Sequence, residues 1–382
     1  MRLPKSRNIM RIIQILRIII ANNLKRNKLE DGVVDQSIFE DVPRLRLVKQ
    51  NGMSIPMVGL VKDSDRKNYW AKYERFLKNN EIPYDFYDIH SHDWLEKSTE
   101  FDLIVWRTAS SASELDEARK KIFVLEKYMG KLCFPTFNMI MIYEDKVLQH
   151  YLMKLKGLSE IETYVSNSIE DALALSKKLG VPLVSKVNPG SGSSGVELVR
   201  SHKAARKLVK KVFSYNGRWT YWPYLRQKDY VLFQKLQRND GYDLRIIVIG
   251  NYVFGYYRDT PKHEFRASGL GVVRKEDLPV RAMDIARLVA SKFDLPTVAV
   301  DFLYDSIEDK FYIIEMSSFI RVDTAEQLHV NGVPGVYTYE DGKYKFEAGK
   351  FWIQELSLKV FIEKTFRKSY GGVENERNRV CD

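Results

Sequence analysis

Residues 298–317 read VAVDFLYDSIEDKFYIIEMS, and this stretch decides the fold. Its two apolar runs, separated by a polar segment, predict a pair of buried strands. One acid accompanies each run: Asp301 lies inside the first run and Glu315 ends the second. Carboxylates on adjacent strands can share a divalent cation, which takes hard oxygen ligands. The alternative is that both are structural acids paired with arginine, and the pattern alone leaves both interpretations open.

Further upstream, a loop rich in Gly and Ser follows a strand that contains a lysine. Residues 182–187 (PLVSKV) place Lys186 among apolar neighbours, where an unpaired ammonium group is costly to bury and a phosphate would be a suitable partner. The loop at 188–195 (NPGSGSSG) connects two predicted strands and lacks the GxxxxGK[ST] pattern of a Walker A loop. Its backbone N–H groups and hydroxyls could close over phosphate oxygens, although many such loops are simple turns. A second lysine, Lys146, follows Asp145 at the start of a predicted helix.

The order of these features is more informative than any one of them. Along the chain come Asp145-Lys146, Lys186, the Gly/Ser loop, a strand ending in Gln234-Lys235-Leu236, a Gly-x-Asp-x-Arg element at 241–245, Asp301 and Glu315. This order resembles the ATP-grasp superfamily, particularly the ribosomal-protein glutamate ligases and related carboxylate–amine ligases. The resemblance covers residues 140–325. It implies an α/β (α+β) ATP-grasp fold with an N-terminal pre-grasp α/β domain, and ATP and Mg2+ as cofactors.

The resemblance also implies roles for individual residues. The ATP-binding set comprises two phosphate-binding lysines, a phosphate flap, a hinge that pairs with adenine and the Gly-x-Asp-x-Arg element: Lys146, Lys186, Gly190, Ser191, Gly192, Ser193, Ser194, Gly195, Gln234, Lys235, Leu236, Asp243 and Arg245. The catalytic set, which would stabilise the transferred phosphoryl group, is Arg258, Arg266 and Lys186. The magnesium ligands would be Asp301, Glu315 and Ser317.

Three positions depart from the family pattern. The family usually closes its metal site with Glu-x-Asn, but here the sequence is Glu315-Met316-Ser317. Ser268 stands where relatives often carry Asn, and Lys235 stands where relatives often carry Glu. A backbone contact to adenine would tolerate Lys235, whereas Ser317 is a poorer metal ligand than Asn. The number of metal ions, one or two, therefore stays open.

Strand and helix patterns divide the chain into six predicted segments. They are a basic amphipathic helix at 1–29, a linker at 30–52, the pre-grasp domain at 53–140, a first ATP-grasp subdomain with the flap at 141–230, a second subdomain with the metal site at 231–330, and a C-terminal hairpin and helix extension at 331–382. Within the second subdomain, Gly250-Asn251 predicts a type I′ hairpin turn.

Composition limits the kind of protein. With 382 residues, of which 45% are hydrophobic, the chain can bury a sizeable core over two or three domains. Two Cys and six scattered His offer neither a disulfide framework nor a zinc site, which suits a reducing cytosol. The net charge of +11 favours an anionic partner. Nucleic acid is disfavoured because the sequence has no zinc finger and no RNA-recognition signature.

The N-terminal 28 residues carry much of the positive charge, with eight Lys or Arg and no acid. Apolar residues recur on one helical face: Ile9, Ile12, Ile13, Leu16, Ile19 and Ile20. The stretch is too short and too charged to span a bilayer, and no small-residue cleavage site follows it. We expect a cytoplasmic protein that lies peripherally on the inner membrane face. The alternative is a helix docked on this protein or on a second copy, so a homo-oligomer stays open.

Together these features predict an ADP-forming carboxylate–amine ligase that acts through an acyl phosphate. The expected partners are a small-molecule or glycan-linked carboxylate and an amine, with an amino acid joined to an acidic sugar in surface polysaccharide biosynthesis. Three alternatives stay open: a peptide or protein-tail ligase, an ATP-grasp kinase with a hydroxyl acceptor, and a non-catalytic ATP-binding protein. Release of free phosphate would distinguish the ligases from the kinase. Turnover of ATP would distinguish the ligases and the kinase from the non-catalytic protein.

Overall fold

The computed structural model describes residues 34–48, 52–63, 68–188, 190, 195–220, 222, 224–261, 272–318 and 324–366, and the structural statements below concern these residues. The basic helix predicted at 1–29, loop residues 191–194 and Arg266 lie outside the described residues. Within the described ranges, no helix is both long and apolar enough to cross a membrane.

The first sheet is parallel, as the sequence predicts for the pre-grasp region. Its strands are β1 (Val58–Leu60), β2 (Tyr84–Phe86), β3 (Leu103–Val105) and β4 (Leu132–Phe134), in the order β2-β1-β3-β4. The connecting helices are α1 (Trp70–Asn79), α2 (Trp94–Lys97) and α3 (Ala112–Lys127). The sequence predicts strands at 54–61, 82–89 and 101–105 and a helix at 68–80, which correspond to β1, β2, β3 and α1. It predicts neither α3 nor β4. The buried residues of α3 do recur at helical spacing: Leu115, Ala118, Ile122 and Leu125.

Two helices, α4 (Phe137–Ile142) and α5 (Lys146–Leu155), lead into an antiparallel second sheet. The segment contains β5 (Thr163–Ser166), β6 (Leu183–Lys186), β7 (Glu197–Val199), a small hairpin of β8 (Arg218–Trp219) and β9 (Arg226–Gln227), and β10 (Val231–Lys235). The sheet order is β5-β10-β6-β7. Helices α6 (Ile169–Lys178) and α7 (His202–Val212) pack on this sheet and form a separate apolar core with it, which includes Ala172, Leu183, Val209 and Phe233.

The third sheet is antiparallel and contains the strand pair predicted within residues 298–317. Its strands are β11 (Tyr242–Ile249), β12 (Tyr252–Asp259), β13 (Val273–Arg274), β14 (Thr297–Asp305), β15 (Lys310–Ser317), β16 (Leu328–Val330), β17 (Val333–Glu340) and β18 (Lys343–Ala348). The main order is β15-β14-β11-β12-β17-β16, with β13 on β12 and β18 on β17. The hairpin predicted near the C-terminus therefore extends the sheet of the second subdomain.

Helices α8 (Val280–Lys292) and α9 (Ile353–Thr365) bury apolar faces in the largest core. That core joins residues of the third sheet, such as Ile246 and Phe302, to Val58 and Phe76 of the first sheet and α1. The first and third sheets consequently share one continuous core. Burial of apolar surface on this scale couples the two units.

The turn between β11 and β12 corrects one prediction. Gly250 has φ +56°, whereas Asn251 does not have a positive φ. A type I′ turn needs positive φ at both central residues, and a type II′ turn needs it only at the first. The predicted type I′ turn is therefore wrong, and the backbone matches type II′, in which glycine takes the first central position.

Strand β15 is irregular at the predicted metal site. Asp301 pairs with Glu315, but the next pair is Phe302 with Ile313, so Ile314 is an extra residue in β15. Such a bulge bends the strand and redirects its side chains. It lies between the two strands that carry the predicted metal ligands.

Candidate functional site

Hydrogen bonds join the start of α5 to the start of the Gly/Ser loop. The Asp145 carboxylate accepts from the Leu148 amide at 3.0 Å, which caps α5, and from the Asn188 side-chain amide at 2.9 Å. Oδ1 of Asn188 accepts from the backbone N–H of Lys146 at 2.8 Å. Lys146 is therefore fixed beside the entrance to the loop.

The side chain of Lys146 links the loop to the third sheet. Its ammonium group donates to the carbonyl of Gly190 and to Oε1 of Glu315, the latter at 3.0 Å. Burial would lower the pKa of Lys146, but the neighbouring Glu315 and Glu144 carboxylates hold the pKa above its ordinary value. Lys146 is a permanent cation of this site.

Lys186 is a buried cation of a different kind. It ends β6, opposite Leu232, and no described residue accepts a hydrogen bond from its ammonium group. Burial is the main cause that lowers the pKa of Lys186 to about 8; Glu315 acts to raise this pKa and Lys146 acts to lower it. An ammonium group held in this way is ready to bind an anion.

Asp301 lies between two arginines. Arg245, directly across the β11–β14 pair, donates from Nε and Nη2 to the two carboxylate oxygens of Asp301, both at 2.7 Å. Nη2 of Arg258 lies 3.0 Å from Oδ2 of the same carboxylate. A bidentate guanidinium contact is a strong and directional one. It holds the pKa of Asp301 below its usual value despite burial, which acts to raise it.

Asp243 completes this network from the same strand as Arg245. It stands opposite Arg258 on β12 and accepts a hydrogen bond from its Nε. Burial raises the pKa of Asp243 to about 6 against the effect of Arg258, and the nearby Asp301 adds to the increase. The sequence left open whether Asp301 and Glu315 pair with arginine. Asp301 does pair with Arg245, whereas Glu315 pairs with Lys146.

The three predicted magnesium ligands lie on neighbouring strands. Asp301 and Glu315 are paired residues, and Ser317 is two positions further along β15, opposite Ala299. Within the described ranges, no group of three or more His, Cys, Asp or Glu side chains could hold a metal by itself. A carboxylate offers about four lone-pair positions, so Glu315 and Asp301 retain acceptor capacity beside their cations. The donor set fits Mg2+ that is held jointly by one or two carboxylates and substrate phosphates.

The two described ends of the flap differ in how they are held. The Gly190 carbonyl binds Lys146, while the Gly195 carbonyl accepts from the Val187 N–H at 3.1 Å. Gly195 has φ +78°, and a Cβ atom there would lie 2.8 Å from Cβ of Val187. Glycine is required at that end of the loop for both reasons. The middle of the flap, Ser191 to Ser194, lies outside the described residues, as does Arg266.

The predicted hinge is partly occupied by protein contacts. Gln234 is buried and its side-chain amide donates to Oγ1 of Thr163 at 2.9 Å. The backbone N–H of Lys235 donates to the carbonyl of Glu162 at 2.9 Å, and its side chain is exposed. Leu236 follows, half-buried. The assignment of Gln234, Lys235 and Leu236 to adenine stays a prediction.

Two residues that position this site, Gln149 and Tyr230, were missed from the sequence. The side chain of Gln149 donates to the Met316 carbonyl at 2.8 Å and accepts from the Met316 N–H at 2.9 Å, between Glu315 and Ser317. The Tyr230 hydroxyl accepts from the Asn188 N–H at 2.8 Å and donates to the Asn188 carbonyl at 2.9 Å. No sequence signal marks these contacts, because the partners are far apart in the chain.

The antiparallel second and third sheets, the Gly/Ser loop and the paired cations and carboxylates define an ATP-grasp protein. Residues 143–332 match the family model of the RimK-like ATP-grasp domain. The chain therefore carries a RimK-like ATP-grasp domain over these residues, which confirms the resemblance found in the sequence.

Several curated proteins are similar to this chain. LysX of Saccharolobus solfataricus, an alpha-aminoadipate–LysW ligase, is 22% identical over 75% of this chain and 99% of its own. The biotin carboxylase of Haemophilus influenzae is 26% identical over 63% of this chain and 56% of its own. A probable alpha-L-glutamate ligase of Stenotrophomonas maltophilia is 27% identical over 44% of this chain and 54% of its own. The chain thus spans about half the length of the last two relatives.

Proposed function

We propose that this chain is an ATP- and Mg2+-dependent ligase that joins a carboxylate to an amine. The observation that carries the proposal is a cluster of charged groups at the Gly/Ser loop of a RimK-like ATP-grasp domain. The cations are Lys146, Lys186, Arg245 and Arg258, and the carboxylates are Glu144, Asp243, Asp301 and Glu315. Lys186 is the cation for which the described residues provide no hydrogen-bond acceptor, so a polyphosphate would complete its surroundings.

The proposed reaction has two steps and needs no protein nucleophile. A carboxylate oxygen attacks the terminal phosphorus of ATP, the bond from that phosphorus to ADP breaks, and an acyl phosphate forms. An amine then attacks the carbonyl carbon, the carbon–oxygen bond breaks, and phosphate leaves with the carboxylate oxygen. Mg2+, when bound, would neutralise charge on the phosphates.

The residues of the cluster suit the charge changes in these steps. Lys146 and Lys186 would hold the phosphate oxygens. Arg258 and Arg266 would stabilise the transferred group, since fixed cations aimed at developing negative charge are a large source of rate enhancement. Asp301 and Glu315 would hold the metal, with Gln149 fixing the strand between Glu315 and Ser317.

For the acceptor we propose an acidic sugar of a surface polysaccharide or its precursor, to which an amino acid is joined. The net charge of +11 supports an anionic acceptor, and a uronic acid supplies the required carboxylate. Residues 1–28, outside the described part, would bring the enzyme to an anionic membrane surface in the cytoplasm.

The test is an assay of the full chain with ATP, Mg2+, hydroxylamine and a panel of carboxylates that includes uronic acid conjugates. Hydroxylamine converts an acyl phosphate to a hydroxamate. We expect equal amounts of phosphate and hydroxamate, and loss of both in Lys186→Ala. The matched control is Lys177→Ala, which removes an exposed lysine of α6 and should change neither product.

Two other results would overturn the proposal. ADP formed without phosphate or hydroxamate would identify a kinase. ATP binding without turnover for any carboxylate in the panel would support the non-catalytic alternative.

A further inference from the structure

Helix α7 presents an exposed basic face on the second sheet. Five of its side chains are cationic and exposed, and none of them forms an ion pair with a described residue: Lys203, Arg206, Lys207, Lys210 and Lys211. The buried positions Ala205, Leu208, Val209 and Val212 occupy the opposite face and pack on the second sheet. The positive charge is therefore directed to solvent along the length of the helix.

The segment that follows α7 exposes aromatic rings in place of the usual polar side chains. Tyr215 is 91% exposed, Trp219 51% and Tyr224 57%. The Arg226 guanidinium stacks over the Trp219 ring, and the Lys228 ammonium lies 5.5 Å from the Tyr215 ring centre. Single exposed apolar residues are ordinary, but three large rings interleaved with cations on one short segment mark a binding surface.

This segment is anchored to both strands that flank the Gly/Ser loop. Arg218 on β8 lies 3.4 Å from the Ser185 hydroxyl on β6 and 3.3 Å from the Glu197 carboxylate on β7. At the other end, Tyr230 binds both backbone groups of Asn188, where the loop begins. A chain bound to the segment would therefore lie close to Ser185 and Glu197, on the strands before and after the Gly/Ser loop.

We propose that α7, residues 213–220 and residues 224–228 form a docking surface for a carboxylated polysaccharide, the polymer whose acidic sugar the active site modifies. This inference rests on the proposed function. The face of an aromatic ring carries negative charge density, which suits the C–H face of a sugar ring. The α7 cations complement carboxylates repeated along the polymer.

The alternatives fit less well. A single-stranded nucleic acid would also stack on aromatic rings, but it offers phosphates and no carboxylate for a ligase to activate. An acidic polypeptide tail offers carboxylates but has no ring faces to pack against Trp219 and Tyr224. A polyuronate has both features.

The test measures binding of an oligouronate of defined length to the full chain by calorimetry, without ATP. The variant Lys207→Glu/Lys210→Glu/Lys211→Glu should bind at least roughly tenfold more weakly, because it reverses charge where the polymer lies. The matched control, Lys127→Glu/Lys154→Glu/Lys177→Glu, reverses three exposed lysines in the last turns of α3, α5 and α6 and should keep its affinity. A second variant, Trp219→Ala/Tyr224→Ala, should weaken binding while leaving the charge unchanged.

Two probes and one activity assay complete the design. A neutral dextran should not bind, and a polynucleotide of equal charge should bind more weakly than the oligouronate. The proposal would be overturned if the α7 variant and its matched control lost affinity equally, or if Trp219→Ala/Tyr224→Ala lost none. Tighter binding of the polynucleotide than of the oligouronate would also overturn it. Hydroxamate formation from a monomeric uronate should be unchanged in the surface variants, so a failure of the ligase proposal is distinguishable from a failure of the docking proposal.

Discussion

At the scale of single residues, the site is defined by how each buried charge is balanced. Lys146 and Asp301 have fixed protein partners, whereas Lys186 has none among the described residues and its pKa is lowered to about 8. A lysine in that state binds phosphate only while it is protonated. The free protein should therefore lose affinity for ATP as the pH rises.

The first prediction concerns the pH dependence of ATP binding. The protonated form of Lys186 dominates below its pKa of about 8 and the neutral amine above it, so ATP affinity should fall from pH 7 to pH 9. In Lys186→Arg the guanidinium stays charged throughout this range, and the fall should disappear. Calorimetric titration of both proteins with ATP at several pH values measures the affinity. An identical pH dependence in both proteins would show that another group controls binding.

The second prediction concerns the buried pairing of Asp301. Asp301→Asn removes the charge that balances Arg245 and Arg258, and should lower the free energy of unfolding by about 3 kcal/mol. Asp309→Asn is the matched control, because Asp309 pairs with Arg281 at 2.6 Å on the exposed surface, where solvent screens the pair, and its loss should be clearly smaller. Chemical denaturation of both variants decides the matter. Similar losses would contradict the account of Asp301.

The buried charges of Lys186 and Asp301 could be predicted from the sequence, because each interrupts an apolar run. Contacts between distant parts of the chain could not. Gln149 reaches Met316, and Tyr230 reaches Asn188, only because the fold brings separate elements together. The arginine partners of Asp301 needed the strand register, which no single sequence reveals.

At the scale of elements, the contact between α1 and α9 contains an unusual pair. Glu355 on α9 is completely buried and binds Arg75 on α1 at 2.6 Å. Burial raises the pKa of Glu355 to about 7 although Arg75 acts to lower it. The folded state therefore favours the protonated acid more strongly than the unfolded state does.

The third prediction is the consequence for stability. The unfolded carboxyl titrates near 4.5 and the folded one near 7, so stability from this group is complete below pH 4.5 and is lost as the pH rises through 7. Over that interval the wild-type protein should lose roughly 3 kcal/mol relative to Glu355→Gln. Denaturation of both proteins at pH 5 and pH 8 measures the difference. A constant difference would contradict the raised pKa.

Most elements could be predicted because apolar periodicity and turn residues mark them. The hairpin at Gly250-Asn251 was located correctly, but its turn type was not, because glycine at the first position satisfies both types and the φ of Asn251 decides between them. The β14–β15 bulge was also hidden, since an extra residue in a strand leaves little trace in a pattern of apolar residues.

At the scale of the whole molecule, the apolar cores define two bodies. The first and third sheets share the largest core, whereas the second sheet with α6 and α7 has a core of its own. We therefore expect the smaller body to move relative to the larger one, because such a motion would break neither core. The proposed nucleotide site lies where they meet, between Lys186 and the Asp301 network.

The fourth prediction is closure of these two bodies. Binding of ATP and Mg2+ should reduce the radius of gyration of the protein, because phosphates would attract cations from both bodies. Small-angle scattering with and without the nucleotide measures this change. Lys186→Ala should show less compaction than the wild type, and an unchanged wild-type radius at saturating ATP would contradict the idea.

The most direct test of the central claim follows an oxygen atom from the carboxylate substrate. A uronate that supports turnover is labelled with heavy oxygen in its carboxylate, and the phosphate released with an amine present is analysed by mass spectrometry. Carboxyl activation predicts that each phosphate formed carries one labelled oxygen, because that oxygen bonds to phosphorus in the first step and leaves with it in the second. Unlabelled phosphate would mean that water attacks ATP, and the account of this chain as a carboxylate–amine ligase would be contradicted.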